Sequence, residues 1–251
     1  MARGLIGFES IKVLQKEHLN KDGYGLTVLT GIMRAYLGEK SIESLFVALE
    51  KIKADSLLDF FPFNKRMDEY FVRHFEAEDM RAVIDYVAAR KAESARDAVY
   101  SDLFERLQSG ASAEDLAKAA RRAMTAHSFT PAQMATLLWD AILSYLRSSS
   151  DLVAEQQQFI AEVRKYSDSL LVFTDSAKAE MALLQHLQKS FYEDASLMKF
   201  FASVVRVFYE EDVLSNDAIL FWAKKGALSQ GKSTFMKQMS KFIDYLEQQS
   251  E

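Results

Sequence analysis

The stretch "GALSQGKS", Gly226 to Ser233, has the spacing G-x-x-x-x-G-K-S. In many nucleotide hydrolases that spacing makes a loop whose backbone N–H groups and lysine hold phosphates. The loop works only where it leaves a buried strand and feeds a helix. Here the preceding residues are "SNDAILFWAKK". Ser215 suits a helix N-cap, Ile219 and Trp222 lie near helical spacing, and two lysines end the run, where a helix C-terminus favours positive charge. Gly226 is expected to stop that helix, and Ser233 to help start the next. No four-residue apolar run ending in Asp offers a magnesium ligand. A P-loop nucleotide hydrolase stays as one alternative reading and a generic helical-repeat scaffold as another; the expected role of the string is a hinge between helices.

A second constellation brackets that hinge. Tyr209, Glu210, Glu211 and Asp212 are followed by Asp217 and Trp222, and then by Asp244, Tyr245, Glu247 and Glu251. Carboxylates beside aromatic rings suit a lysine-rich segment, because the carboxylates attract ammonium groups and the ring faces take them by cation–π contact. From residue 151 onward there are 15 acidic and 11 basic residues, so most of the chain's net charge of −5 lies there. One exposed ion pair contributes only about 0–1 kcal/mol, so useful affinity needs several at once, and it should weaken with salt. The competing reading is structural: Ser215 and Asp217 start a helix, and Phe208 and Phe242 fill a core.

Other candidates are weaker. His18, His74, His127 and His186 are scattered, without the close partners a metal site needs, and there are no cysteines. Thiol catalysis, disulfides and cysteine-ligated zinc are thereby excluded, and a reducing, cytoplasmic setting is expected. Lys118, Arg121 and Arg122 read as helix-surface charge, and "NKR" at 64–66 as a possible interface element. No nucleophile elbow or framed carboxylate pair is present, so no enzyme activity, cofactor or metal is expected. Hydrophobic residues make up 49% and charged residues 27%, a globular balance. No apolar run is long enough for a membrane span, and "MARGLIGFES" has too short an apolar stretch for a secretory signal. Without a long basic run, nucleic acid is a poor partner and a basic protein segment a better one.

The elements that must position these residues read as helices. Only two prolines and nine glycines interrupt the chain, and five of those glycines fall in the first 31 residues. "SIESLFVALEKI" puts Ile42, Leu45, Phe46, Leu49 and Ile52 on one face, and "FNKRMDEYFVRHF" does the same with Met67, Tyr70, Phe71 and Phe75. A long helix ends near Gly110. Ser112 with Asp115 forms a capping box, and Thr130–Pro131 with Gln133 forms another helix start. Further helices are expected over 151–165, 175–189, 193–209, 215–225 and 233–248, with "RSSSD" at 147–151 a connection. No stretch alternates at period two. The expected fold is all-α, with antiparallel helix pairs in a HEAT-like or armadillo-like array.

Three segments in order, "LLDFFPFNKR" (57–66), "FYEEDVLSNDAILFW" (208–222) and "GKSTFMKQMSKFIDYLEQ" (231–248), resemble the basic leucine zipper and W-two domain-containing proteins, also called initiation factor 5-mimic proteins. The resemblance runs from about Gly23 to the end. It implies a cytosolic helical-repeat protein, with residues 1–75 the end of an N-terminal helical, MIF4G-like domain and 76–251 a W-two domain. It implies binding to lysine-rich segments of the initiation factor 2 beta subunit and to initiation factor 3 subunit c, in competition with initiation factor 5, and restraint of initiation and start-codon choice. The two tryptophans that name the domain are matched by Trp222 and replaced by Tyr245. Tyrosine keeps a large ring with a polar tip.

Overall fold

A computed structural model describes residues 8–148 and 155–249. They contain helices and no strand. They divide into two compact units, Met1–Glu93 and Ser94–Glu251. The expected divide at 75/76 falls inside a helix of the first unit.

Unit 1 opens with a 3-10 turn, Phe8–Gln15, and carries α1 (Glu17–Asn20), α2 (Tyr24–Leu37), α3 (Ile42–Lys51) and α4 (Asp68–Ala77). Ser41 caps α3 by accepting from the Ser44 N–H, and the predicted apolar face of that helix buries Leu45, Phe46 and Leu49. They pack with Leu29, Met33, Phe60, Phe61, Phe71 and Phe75 in one core. Met67 departs from its expected place: it precedes α4 in extended backbone and is 52% exposed. Of the "NKR" segment, Arg66 turns inward, donating from Nε to the Phe61 carbonyl (3.1 Å) and from Nη2 to the Asp59 carbonyl (3.0 Å). Asn20 Nδ2 donates to the same Asp59 oxygen at 2.9 Å.

α5 (Arg81–Gln108) runs through the divide, and residues 91–94 along it are all exposed. It ends at Gly110, whose φ of +78° is open to glycine at little cost. In unit 2 follow α6 (Ala113–His127), α7 (Pro131–Ser148), α8 (Gln156–Leu171), α9 (Ala177–Glu193), α10 (Phe201–Glu210), α11 (Asn216–Phe221) and α12 (Lys232–Gln249). Residues 149–154 lie outside the described part, and with them the start of the expected 151–165 helix and the tip of "RSSSD". Both predicted caps form. Ser112 Oγ accepts from the Asp115 N–H (3.1 Å) and donates to its carboxylate (2.8 Å). Gln133 Oε1 accepts from the Thr130 N–H (2.9 Å) while Thr130 Oγ1 accepts from the Gln133 N–H (3.3 Å).

Contacts sort the helices of unit 2 into two rows. α6, α8, α10 and α12 lie side by side in one, and α7, α9 and α11 in the other. This is the packing of a HEAT-type array, in which each helix pair buries its apolar stripe against the next. The core between the rows holds Trp139, Phe159, Phe191, Phe200, Phe201, Phe208, Trp222 and Phe235.

Candidate functional site

The expected acidic–aromatic residues fall on α10, α11 and α12 and their connections, and the structure treats them differently. Phe208 is buried in the core, as its structural reading requires. Tyr209 is half-buried on α10 and meets the Phe242 ring of α12 edge-on at 5.5 Å. Phe242 in turn stacks with Tyr245 at 6.4 Å, and Tyr245 is 48% exposed. Phe242, expected in the core, is only half-buried and links the other two rings into a ladder.

Glu210 and Glu211 end α10, where their carboxylates turn toward α8. Arg164 of α8 bridges them, donating from Nη2 to Glu210 and from Nη1 to Glu211. The hydrogen bond to Glu210 is the main influence holding the Arg164 pKa above its ordinary value; partial desolvation opposes it. Arg206, one turn before Glu210, reaches its other oxygen at 3.6 Å and lies 5.6 Å over the Phe242 ring. Asp212 turns the chain with a φ of +58°, a left-handed conformation that Asp tolerates better than most residues. Ser215 caps α11, accepting from the Ala218 N–H at 3.2 Å, and Asp217 occupies that helix's first turn. Asp244 is exposed on α12, and Glu247 pairs with Lys224 at 3.1 Å. Among the described residues, no basic side chain lies within 4 Å of the Asp212, Asp217 or Asp244 carboxylates. Glu251 lies outside the described residues.

Trp222 is the clear correction. It is 0% exposed, so it offers no ring face to a ligand. It lies in a π-helical turn, Trp222–Gly226, and packs on Phe201 at 5.5 Å. Its Nε1 donates to Gln188 Oε1 at 2.9 Å. Gln188 of α9 is fully buried and satisfies all four of its hydrogen-bonding positions. Oε1 also accepts from the Leu228 N–H (3.0 Å), and Nε2 donates to the carbonyls of Leu228 (2.8 Å) and Gln230 (2.7 Å). One turn earlier, Gln185 Nε2 donates to the Gly226 carbonyl at 2.7 Å.

Those bonds settle the geometry of "GALSQGKS". A helix and a π-turn precede it, and its Leu228 N–H points at Gln188 rather than into a phosphate nest. The P-loop reading does not survive this. Gly226 is also not the left-handed helix stop that its position suggests. A side chain there would meet Met181 Sδ at 2.8 Å, so glycine serves close packing of the turn on α9. The left-handed residue is Gly231, φ +68°, just before α12 starts at Lys232.

His186 and Lys118 make local contacts. His186 Nε2 pairs with Asp140 Oδ1 at 2.6 Å, but the Ser190 hydroxyl donates to the His186 backbone carbonyl, not to its ring. No group of three metal-ligating side chains occurs among the described residues. No helix among them is long and apolar enough to cross a membrane. Lys118 pairs with Glu114 along its own helix at 2.7 Å, as surface charge does.

The fold and this face define a HEAT-type helical protein whose last helices carry an acidic–aromatic surface. Residues 1–97 match the family described as "5MP1/2 HEAT domain", and residues 179–251 match W2, "eIF4-gamma/eIF5/eIF2-epsilon". The whole chain aligns with eIF5-mimic protein 2 of Gallus gallus at 29% identity and with eIF5-mimic protein 2-A of Danio rerio at 30%, covering 60% of each. It aligns with eIF5-mimic protein 1 of Gallus gallus at 28%, covering 61%. The chain is similar to the eIF5-mimic proteins, and it spans about 60% of the length of those it matches. The W2 match begins within α9 and includes every residue of the acidic–aromatic face except Arg164.

Proposed function

We propose that the chain is a non-catalytic regulator of translation initiation that acts in the cytosol by binding. Its W-two face on unit 2 takes the lysine-rich segments of the initiation factor 2 beta subunit, with initiation factor 3 subunit c as a further contact. Occupying those segments denies them to initiation factor 5, which restrains initiation and tightens start-codon choice. The observation that carries this reading is the row of carboxylates Glu210, Glu211, Asp212, Asp217, Asp244 and Glu247 on neighbouring elements, beside the Tyr209–Phe242–Tyr245 ring ladder. Trp222, sealed in the core and bonded to Gln188, offers no ring face to a ligand.

The test uses a fluorescent peptide of the lysine-rich beta segment, titrated with the protein and then with the C-terminal domain of factor 5. Binding, displacement by factor 5, and an affinity loss of about tenfold or more for Glu210→Lys/Glu211→Lys/Asp212→Lys are expected. Unchanged affinity in the triple variant rules the face out.

A further inference from the structure

Part of the face that a lysine-rich ligand would use is already occupied by the chain itself. Arg164 engages both Glu210 and Glu211 from the neighbouring helix. Arg206 holds the second Glu210 oxygen at 3.6 Å and covers the Phe242 ring at 5.6 Å. Glu210 therefore has both oxygens engaged, and Arg206 takes a cation–π position on the ladder's central ring. A guanidinium fork spanning two carboxylates is geometrically matched to them, whereas an ammonium is a compact point charge. A single incoming lysine gives up the planar two-pronged fit that the guanidinium makes with the two carboxylates.

Beside both arginines lies an open groove of about 470 Å³, also lined by Ile160, Ser203 and Val207. A displaced guanidinium has room to swing there. The side chains of Arg164 and Arg206 are 44% and 64% exposed, so neither is locked in by packing. Asp212, Asp217 and Asp244 stay open to a first encounter, because none of them has a basic partner among the described residues.

We propose that Arg164 and Arg206 form an internal plug on the acidic–aromatic face, which a ligand opens only by presenting several lysines together. The inference rests on the binding reading above and adds its selectivity. Isolated lysines meet a neutralised surface. A dense lysine run docks first on the open aspartates and then exchanges with the arginines, so the plug sets a threshold of charge density.

The experiment titrates fluorescent decalysine with the wild-type chain, Arg164→Gln, Arg206→Gln and Lys178→Gln. Lys178 is an exposed lysine on α9, and its loss changes net charge equally without touching the plug. Arg164→Gln and Arg206→Gln are each expected to bind about three- to tenfold more tightly than Lys178→Gln. The gain should be larger still for a trilysine probe, which cannot displace the plug. A thermal melt of each variant checks folding, and the two arginine variants test the plug independently of each other. If wild type binds and neither arginine variant exceeds Lys178→Gln, the plug is wrong and the binding face stands. If none of the proteins binds decalysine, the face itself is wrong and the plug falls with it.

Discussion

Replacing Gln188 by alanine should damage unit 2 far more than its polar character suggests. The side chain is 0% exposed and makes four hydrogen bonds between 2.7 and 3.0 Å. Alanine leaves the Trp222 N–H, the Leu228 N–H and two carbonyls without that partner. Leaving a buried polar group unsatisfied costs about 1–3 kcal/mol. Water entering the vacated space recovers part of this for the loop carbonyls, which lie nearer the surface, and little for the buried indole. A loss of about 3–5 kcal/mol follows, or a fall in Tm of roughly 6–20 °C for a unit of this size. Urea unfolding followed by tryptophan emission is the natural assay, because both tryptophans, Trp139 and Trp222, lie in unit 2. Gln188→Glu should also destabilise, since a carboxylate keeps the acceptor but cannot donate to the Leu228 and Gln230 carbonyls. If Gln188→Ala unfolds within about 1 kcal/mol of wild type, the clamp on the "GALSQGKS" turn does not operate as described.

Three further outcomes follow from particular residues. His74 is half-buried, with Nε2 2.8 Å from the Thr30 hydroxyl; burial lowers its pKa, and nearby Glu78 only partly opposes this. The unfolded chain therefore binds the proton first, so stability is full above about pH 6.5 and falls as pH drops through the lowered folded value. His74→Gln should flatten that slope in pH-dependent melts. Gly231→Ala forces a side chain into left-handed backbone and within 2.6 Å of Phe235, so it should cost about 1–3 kcal/mol in urea unfolding. Magnesium-ATP or GTP should leave the Tm of both wild type and Lys232→Ala unchanged; a saturable, lysine-dependent rise would restore the P-loop reading.

What was legible in the sequence was local. Ser112 with Asp115, Thr130 with Gln133, Ser215 and Gly110 mark helix ends through contacts within three or four residues, and each forms as read. The array of helix pairs also followed, because it was legible in the order of helices joined by short connections. The parts that were not legible depend on residues far apart in the chain. Arg164 lies 46 positions from Glu210, and nothing near either residue announces the pair. Gln188 lies 34 positions from Trp222, so the tryptophan that read as a ligand ring is in fact sealed in the core. Gly226 does end the helical stretch, as read, but without the left-handed backbone of a usual glycine stop, and its close approach to Met181 across the interface was not legible. Arg206 alone offered a local signal, its i,i+4 spacing to Glu210.

The central claim is that an acidic–aromatic face on α10–α12 binds lysine-rich chain. The most direct measurement is fluorescence anisotropy of the lysine-rich beta-subunit peptide against the wild-type chain and Asp212→Lys/Asp217→Lys/Asp244→Lys, each at several salt concentrations. These three aspartates are the open carboxylates of the face, so their reversal disturbs no ion pair among the described residues. The account predicts wild-type binding that weakens steadily with salt and a triple variant at least tenfold weaker at low salt. Binding that is insensitive to salt and equal in the two proteins contradicts it.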